Sequence, residues 1–151
     1  MRPIRVLHCP EMVAGHPQGL VRAERELGLA SWSVGFERGH FGYQADEIIS
    51  VTRSNLLRRE IQRWAFLFRA LRDFDIVHFN FGQSIAPPRI FPNVEDQGKY
   101  HPALRRGYHL YSRLLELADL PLLKRAGKGI AVTYQGDDAR QGDFCSAHFE
   151  I

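Results

Sequence analysis

Residues 74–81 read FDIVHFNF, and the interpretation of this stretch decides the fold. Aromatic and β-branched residues fill it almost without interruption and Gly82 ends it, the pattern of a strand covered on both faces in a parallel sheet. An antiparallel strand with one wet face would alternate apolar and polar positions instead. Three strand-like runs precede it: residues 4–9 (IRVLHC), stopped by Pro10, then 32–36 and 46–51. Residues 130–134 form the fifth. Amphipathic stretches of helical period separate them, at 18–30, at 54–72 with Ser54 as the expected cap, at 103–117 and at 120–125. This alternation predicts an α/β fold, a Rossmann-like open parallel sheet of order 3-2-1-4-5 with helices on both faces. After Gly82, residues Pro87, Pro88, Pro92 and Pro102 mark a long loop.

The chain has 151 residues, 44% apolar and 25% charged, enough for one ordinary domain. Disordered, fibrous and membrane-spanning classes are excluded by that balance. No basic leader with an apolar run precedes the first strand, so a cytoplasmic location is expected. Cys9 and Cys145 lie far apart, with neither metal-type spacing nor a disulfide framework, and are expected to be reduced thiols. The net charge of +3 is a local feature: Arg53, Arg58, Arg59, Arg63, Arg69 and Arg72 fall in one stretch of twenty residues whose one acid is Glu60. No nucleic-acid-binding motif accompanies them, and nucleic acid is not an expected partner.

In such sheets ligands bind at the carboxyl ends of the strands, where the strand order reverses. That rule selects His8, Cys9 and the EMVAGHPQG loop after the first strand, Asn80 to Ser84 after the fourth, and Gln135 to Asp138 after the fifth. Gly15 and Gly19 let backbone approach an anion at a helix start, yet the loop is neither GxGxxG nor GxxxxGK[ST], and a plain Gly-rich turn into a helix is the favoured reading on pattern alone. His16 within it is either a ligand contact or a solvated loop histidine. His8 and His78 fall on neighbouring strands as half of a metal site at most, since Cys9 points to the opposite face; they read as core histidines, and neither a metal nor another cofactor is expected. A GxSxG elbow is absent from the sequence, which argues against Ser-His-Asp hydrolysis.

The tract VTYQGDDARQGDFC, residues 132–145, sends a strand directly into Gln135, Gly136, Asp137 and Asp138, with Arg140 close behind. Paired carboxylates at the functional edge can accept protons from sugar hydroxyls, or one of them can cap the next helix with Arg140 neutralising it. On a helical wheel the arginine-rich stretch puts its apolar residues on one arc, with Glu60 inside it, and its arginines opposite, together with Phe66. Arg58, Arg59, Arg63 and Phe66 are therefore candidates for peripheral contact with an anionic membrane, the alternative being a solvated face on a packed helix.

The succession RVLHCPEMVAGHPQGLVRAERELG, ASWSVGF, FDIVHFNFG and LPLLKRAGKGIAVTYQGDDAR resembles the N-terminal domain of the family 4 (group 1) retaining glycosyltransferases of GT-B fold. The similarity spans most of the chain apart from the arginine-rich helix and the Pro-rich loop. That family pairs two Rossmann-like domains, the first holding the acceptor and the second the nucleotide sugar. The resemblance implies that Gly15 and His16 belong to a loop near the donor phosphates, and that Gln135, Gly136, Asp137, Asp138 and Arg140 line the cleft and the acceptor site. Many members have His where this chain has Gln135. It also implies that residues 1–151 form an acceptor-side domain, incomplete at its C-terminal end and a fragment of the whole transferase, inactive without the nucleotide-sugar domain. The expected partners are a nucleotide-sugar donor and a sugar or lipid-linked acceptor. The alternative is a non-catalytic Rossmann-like binding or interaction module.

Overall fold

The computed structural model describes residues 2–12, 15–37, 44–49, 55–88 and 100–134. Five strands, β1 (Arg5–Cys9), β2 (Ala30–Gly35), β3 (Glu47–Ile48), β4 (Ile76–Asn80) and β5 (Gly129–Thr133), pair in parallel in the order β3-β2-β1-β4-β5. Four helices connect them: α1 (His16–Glu26), α2 (Leu56–Asp73), α3 (Pro102–Leu115) and α4 (Asp119–Arg125). The protein is thus α/β with a Rossmann-like open sheet, as the alternation predicts. Each boundary lies within a few residues of the sequence reading. The third strand is the weakest, two residues long, with positions 50 and 51 outside the described residues. Asn55, rather than Ser54, caps α2, its side chain accepting from the Arg58 N–H at 2.9 Å. Ser54 lies outside the described residues.

Register and pleat divide the sheet into two unlike faces. Leu7 and Cys9 on β1, Val34 on β2, and Val77 and Phe79 on β4 point one way, where Leu67 and Ala70 of α2 and Leu123 of α4 meet them in the main apolar core. Val6 and His8, Ser31 and Ser33, Ile76, His78 and Asn80, and Thr133 point the other way, toward α1. Burial of the first set drives folding at roughly 1.5–3 kcal/mol per large side chain.

α2 does not pack as its helical wheel suggests. Arg59, Arg63 and Phe66, expected on the outer face, are buried at 3%, 6% and 3% exposure, while Leu57, Ile61 and Phe68 from the apolar arc are 73%, 60% and 66% exposed. The helix is rotated so that Phe66 and Ala70 enter the core and Arg63 reaches backbone carbonyls. The Arg63 guanidinium donates to Ile85 O at 2.8 Å and Ala86 O at 3.3 Å, and lies 5.0 Å from the Phe36 ring centroid. The other half of the apolar arc is taken up by α3: the Trp64 indole N–H donates to the Tyr111 hydroxyl, and Glu60 accepts from Tyr108 at 3.0 Å and Tyr111 at 2.8 Å. Of the four residues expected at a membrane surface, only Arg58 is exposed. No described helix is long and apolar enough to cross a membrane. An apolar groove of about 830 Å³ lies open between α2 and α3, floored by Trp64, Tyr108 and Tyr111 and rimmed by Leu57, Ile61 and Leu104.

Candidate functional site

The strand order reverses between β1 and β4, whose connections leave the sheet in opposite directions and open a crevice at their carboxyl ends. α1 starts there. Gly15 precedes it with φ 74°, a left-handed backbone that a side chain would strain, and its carbonyl takes the Gly19 N–H at 2.9 Å. No side chain caps this helix, so N–H groups of its first turn are left for solvent or a ligand. His16 is the first helical residue and is exposed, and Pro17 behind it is buried, its fixed φ suiting a helix start. Gly15 and His16 thus stand at an uncapped helix start at the carboxyl edge of the sheet.

On β4 the same edge is strained and unsatisfied. Phe81, just past the strand, holds φ 59°, and Gly82 follows at 62°. Asn80 at the strand end is fully buried, and neither the oxygen nor the nitrogen of its amide has a hydrogen-bond partner among the described residues. By the alternation of β4 it lies on the α1 side, two residues beyond His78. Gln18, in the first turn of α1, likewise carries an amide with both polar atoms buried and unpartnered. Such groups cost roughly 1–3 kcal/mol each when left dry, which makes them markers of a place for water or ligand.

The segment after Asn80 is held from both sides. Asp119, buried at the start of α4, accepts the Ile85 and Ala86 N–H groups at 2.7 and 3.1 Å, while Arg63 takes the carbonyls of the same two residues. Cys9, a free thiol, is buried beside this carboxylate. Burial first and then the Asp119 charge push its pKa well up, so it is an unreactive core group.

Behind the crevice a hydrogen-bonded row crosses the sheet. Ser31 Oγ donates to Glu24 Oε2 at 2.6 Å; His8 Nε2 meets the same oxygen at 2.8 Å; His8 Nδ1 and His78 Nδ1 are 3.0 Å apart; and His78 Nε2 lies 2.6 Å from Thr133 Oγ1. Donors and acceptors assign the protons. Glu24 is a carboxylate and accepts, so His8 carries its proton on Nε2. Its Nδ1 then accepts from the His78 Nδ1–H, and His78 Nε2 accepts from the Thr133 hydroxyl. Both rings are neutral in this arrangement. Burial first, and then the proximity of the His8 ring, push the His78 pKa down, with Glu24 opposing and His16 adding a smaller downward push. Burial also raises Glu24, but the hydrogen bonds from Ser31 and His8 outweigh it and the net shift is downward. His8, fully buried, and His78, half-buried, thus satisfy each other, and His16 lies close enough to bear on His78.

The structure brings together Gly15, His16, His78 and Asn80 at one end of the crevice. Gln135, Gly136, Asp137, Asp138 and Arg140 lie outside the described residues, which end at Tyr134, an exposed residue just past β5. Among the described residues no group of three or more His, Cys, Asp or Glu side chains is arranged to hold a metal ion. The coupling of His8 to Glu24 has a weak sequence signal, since an acid more than two turns into the first helix can reach the first strand; the pairing of the two rings had none beyond strand adjacency. No family model, no curated protein and no solved structure matches the chain.

Proposed function

We propose that the chain is the acceptor-side domain of a glycosyltransferase of GT-B type that uses a nucleotide-sugar donor, the second domain of the transferase supplying the donor site. One observation carries the reading: a crevice at the strand-order reversal combines an uncapped helix start at Gly15 and His16 with the dry, unpartnered amide of Asn80. A helix start suits a diphosphate, and a buried amide suits the directed donor and acceptor pairs of a sugar hydroxyl. The resemblance in the order of residues from RVLHCPEMVAGHPQG to AVTYQGDDAR supports the same class. In this reading His16 contacts the donor phosphates and Gln135, Gly136, Asp137, Asp138 and Arg140 line the acceptor side. Catalysis then rests on holding donor diphosphate and acceptor hydroxyl in register. Peripheral membrane contact through Arg59, Arg63 and Phe66 drops out, because these side chains face inward.

The test is release of nucleoside diphosphate from a panel of nucleotide sugars by this domain joined to the donor-binding partner encoded with it. Transfer or hydrolysis that falls at least tenfold in His16→Ala, with Asn80→Leu raising the acceptor KM, is the expected result. Neither transfer nor hydrolysis from any donor would sink the reading and leave a Rossmann-like binding module.

A further inference from the structure

Crossover helices of a parallel sheet begin at its carboxyl edge, so the first turns of α2 stand at the same edge as the crevice, on the opposite face. Two arginines one turn apart, Arg59 and Arg63, point inward there and are buried. Arg63 is engaged: one of its Nη atoms takes the Ile85 and Ala86 carbonyls, its plane covers Phe36, and its Nε is 3.7 Å from Glu60 Oε1. Arg59, nearer the edge, has no side-chain hydrogen bond and no ion pair among the described residues, and its Nε is a buried donor without an acceptor. Glu60, the carboxylate of this cluster, already accepts from two tyrosine hydroxyls and flanks Arg63. One carboxylate thus serves two buried guanidiniums. Burial is also the first cause that lowers the Arg63 pKa, with the Arg59 charge acting in the same direction against Glu60.

A guanidinium withdrawn from water without a counter-charge is costly, by several kcal/mol. Such a group is retained where a further anion completes it. The start of α2 reinforces the positive potential, since its aligned peptide dipoles present their positive end at Asn55 to Arg59. Arg59 lies just beneath the surface, at 3% exposure.

We propose that Arg59, with Arg63 behind it at the first turns of α2, forms a binding site for a small oxyanion, a carboxylate or phosphate, that the planar guanidinium of Arg59 grips through two N–H groups. The site is separate from the α1 crevice, and its existence does not depend on the transferase reading. Within that reading it adds a substrate class, acceptors that carry an acidic group.

Thermal unfolding of the chain at constant ionic strength, with chloride exchanged stepwise for inorganic phosphate or for acetate, tests the proposal. The wild-type Tm rises saturably with the preferred anion, by linkage to the folded state, and the two titrations tell phosphate from carboxylate. Arg59→Met abolishes the rise and leaves the Tm in chloride unchanged or higher, since it removes a buried unpaired charge; Arg59→Lys keeps a charge without the fork and weakens the anion roughly fivefold or more. His16→Ala, at the separate α1 crevice, leaves the Arg59-dependent part of the rise in place. A response lost in His16→Ala but kept in Arg59→Met, or no response in the wild type, would overturn the site. If Arg59→Met fails to fold, the Arg59→Lys titration alone decides.

Discussion

Leu7, Val77 and Phe79 face α2 and α4, while their chain neighbours His8, His78 and Asn80 face α1, so consecutive residues of the same two strands build two different interiors. On the first side the contacts are hydrocarbon, non-directional and closed on themselves. On the second side the contacts are hydrogen bonds with a defined sense, tied into Glu24 and Ser31, and beyond them lies the Asn80 amide, which has no partner among the described residues. The apolar side carries the folding free energy; the polar side carries directed hydrogen bonds and titrating groups.

The sharpest way to separate the two sides is to delete from each. Phe79→Ala, in the apolar core, costs about 3–5 kcal/mol in urea unfolding, with the m-value unchanged. Glu24→Ala leaves the His8 N–H and the Ser31 hydroxyl without an acceptor and costs about 1–3 kcal/mol. A larger loss from Glu24→Ala than from Phe79→Ala would reverse the assignment of roles.

The polar side also titrates in the neutral range. Unfolded, the His78 ring takes up a proton near its ordinary value of 6.5; folded, it does so only at lower pH, because burial and His8 disfavour its charge. Between those values the unfolded chain binds more protons, so stability is complete above 6.5 and declines as pH falls toward the folded value. Glu24, depressed in the fold, adds stability that is present above its ordinary 4.5 and is lost as pH falls through its lowered value. The urea midpoint should therefore drop between about pH 7.5 and pH 5, and His78→Phe should flatten that drop. A midpoint that climbs over the same range would contradict the neutral pair.

The smallest effects come from the outer half of α2. Phe68→Glu replaces an exposed aromatic and should shift stability by no more than about 0.5 kcal/mol. Phe66→Ala, two residues earlier, should cost about 3–5 kcal/mol. Equal effects would mean that the helix is seated as its wheel suggests.

That helix marks where the sequence was a poor guide. Strand order and element positions were legible because FDIVHFNF and IRVLHC carry the continuous apolar pattern that only a doubly covered strand needs. The rotation of α2 was not, because a wheel scores arginine as polar along its whole length, whereas Arg63 buries its stem and satisfies its head on the Ile85 and Ala86 carbonyls. Glu60 inside the apolar arc and Phe66 among the arginines were the visible irregularities; two tyrosines from α3 account for the first and burial in the core for the second. At the crevice, Gly15 and His16 followed from the position of a Gly-rich loop at the strand-order reversal. The orphaned amide of Asn80 depends on what fails to surround it, which no single-residue pattern records.

The pair of rings between β1 and β4 has a consequence for the outermost strand. Only one proton fits between the two Nδ1 atoms, so a proton gained by either ring leaves His78 with a proton on Nε2, facing Thr133. The threonine hydroxyl must then turn its lone pair to the ring and release its own hydrogen. Charge state at the middle of the sheet is thereby written into the direction in which an edge hydroxyl points, with no heavy atom displaced.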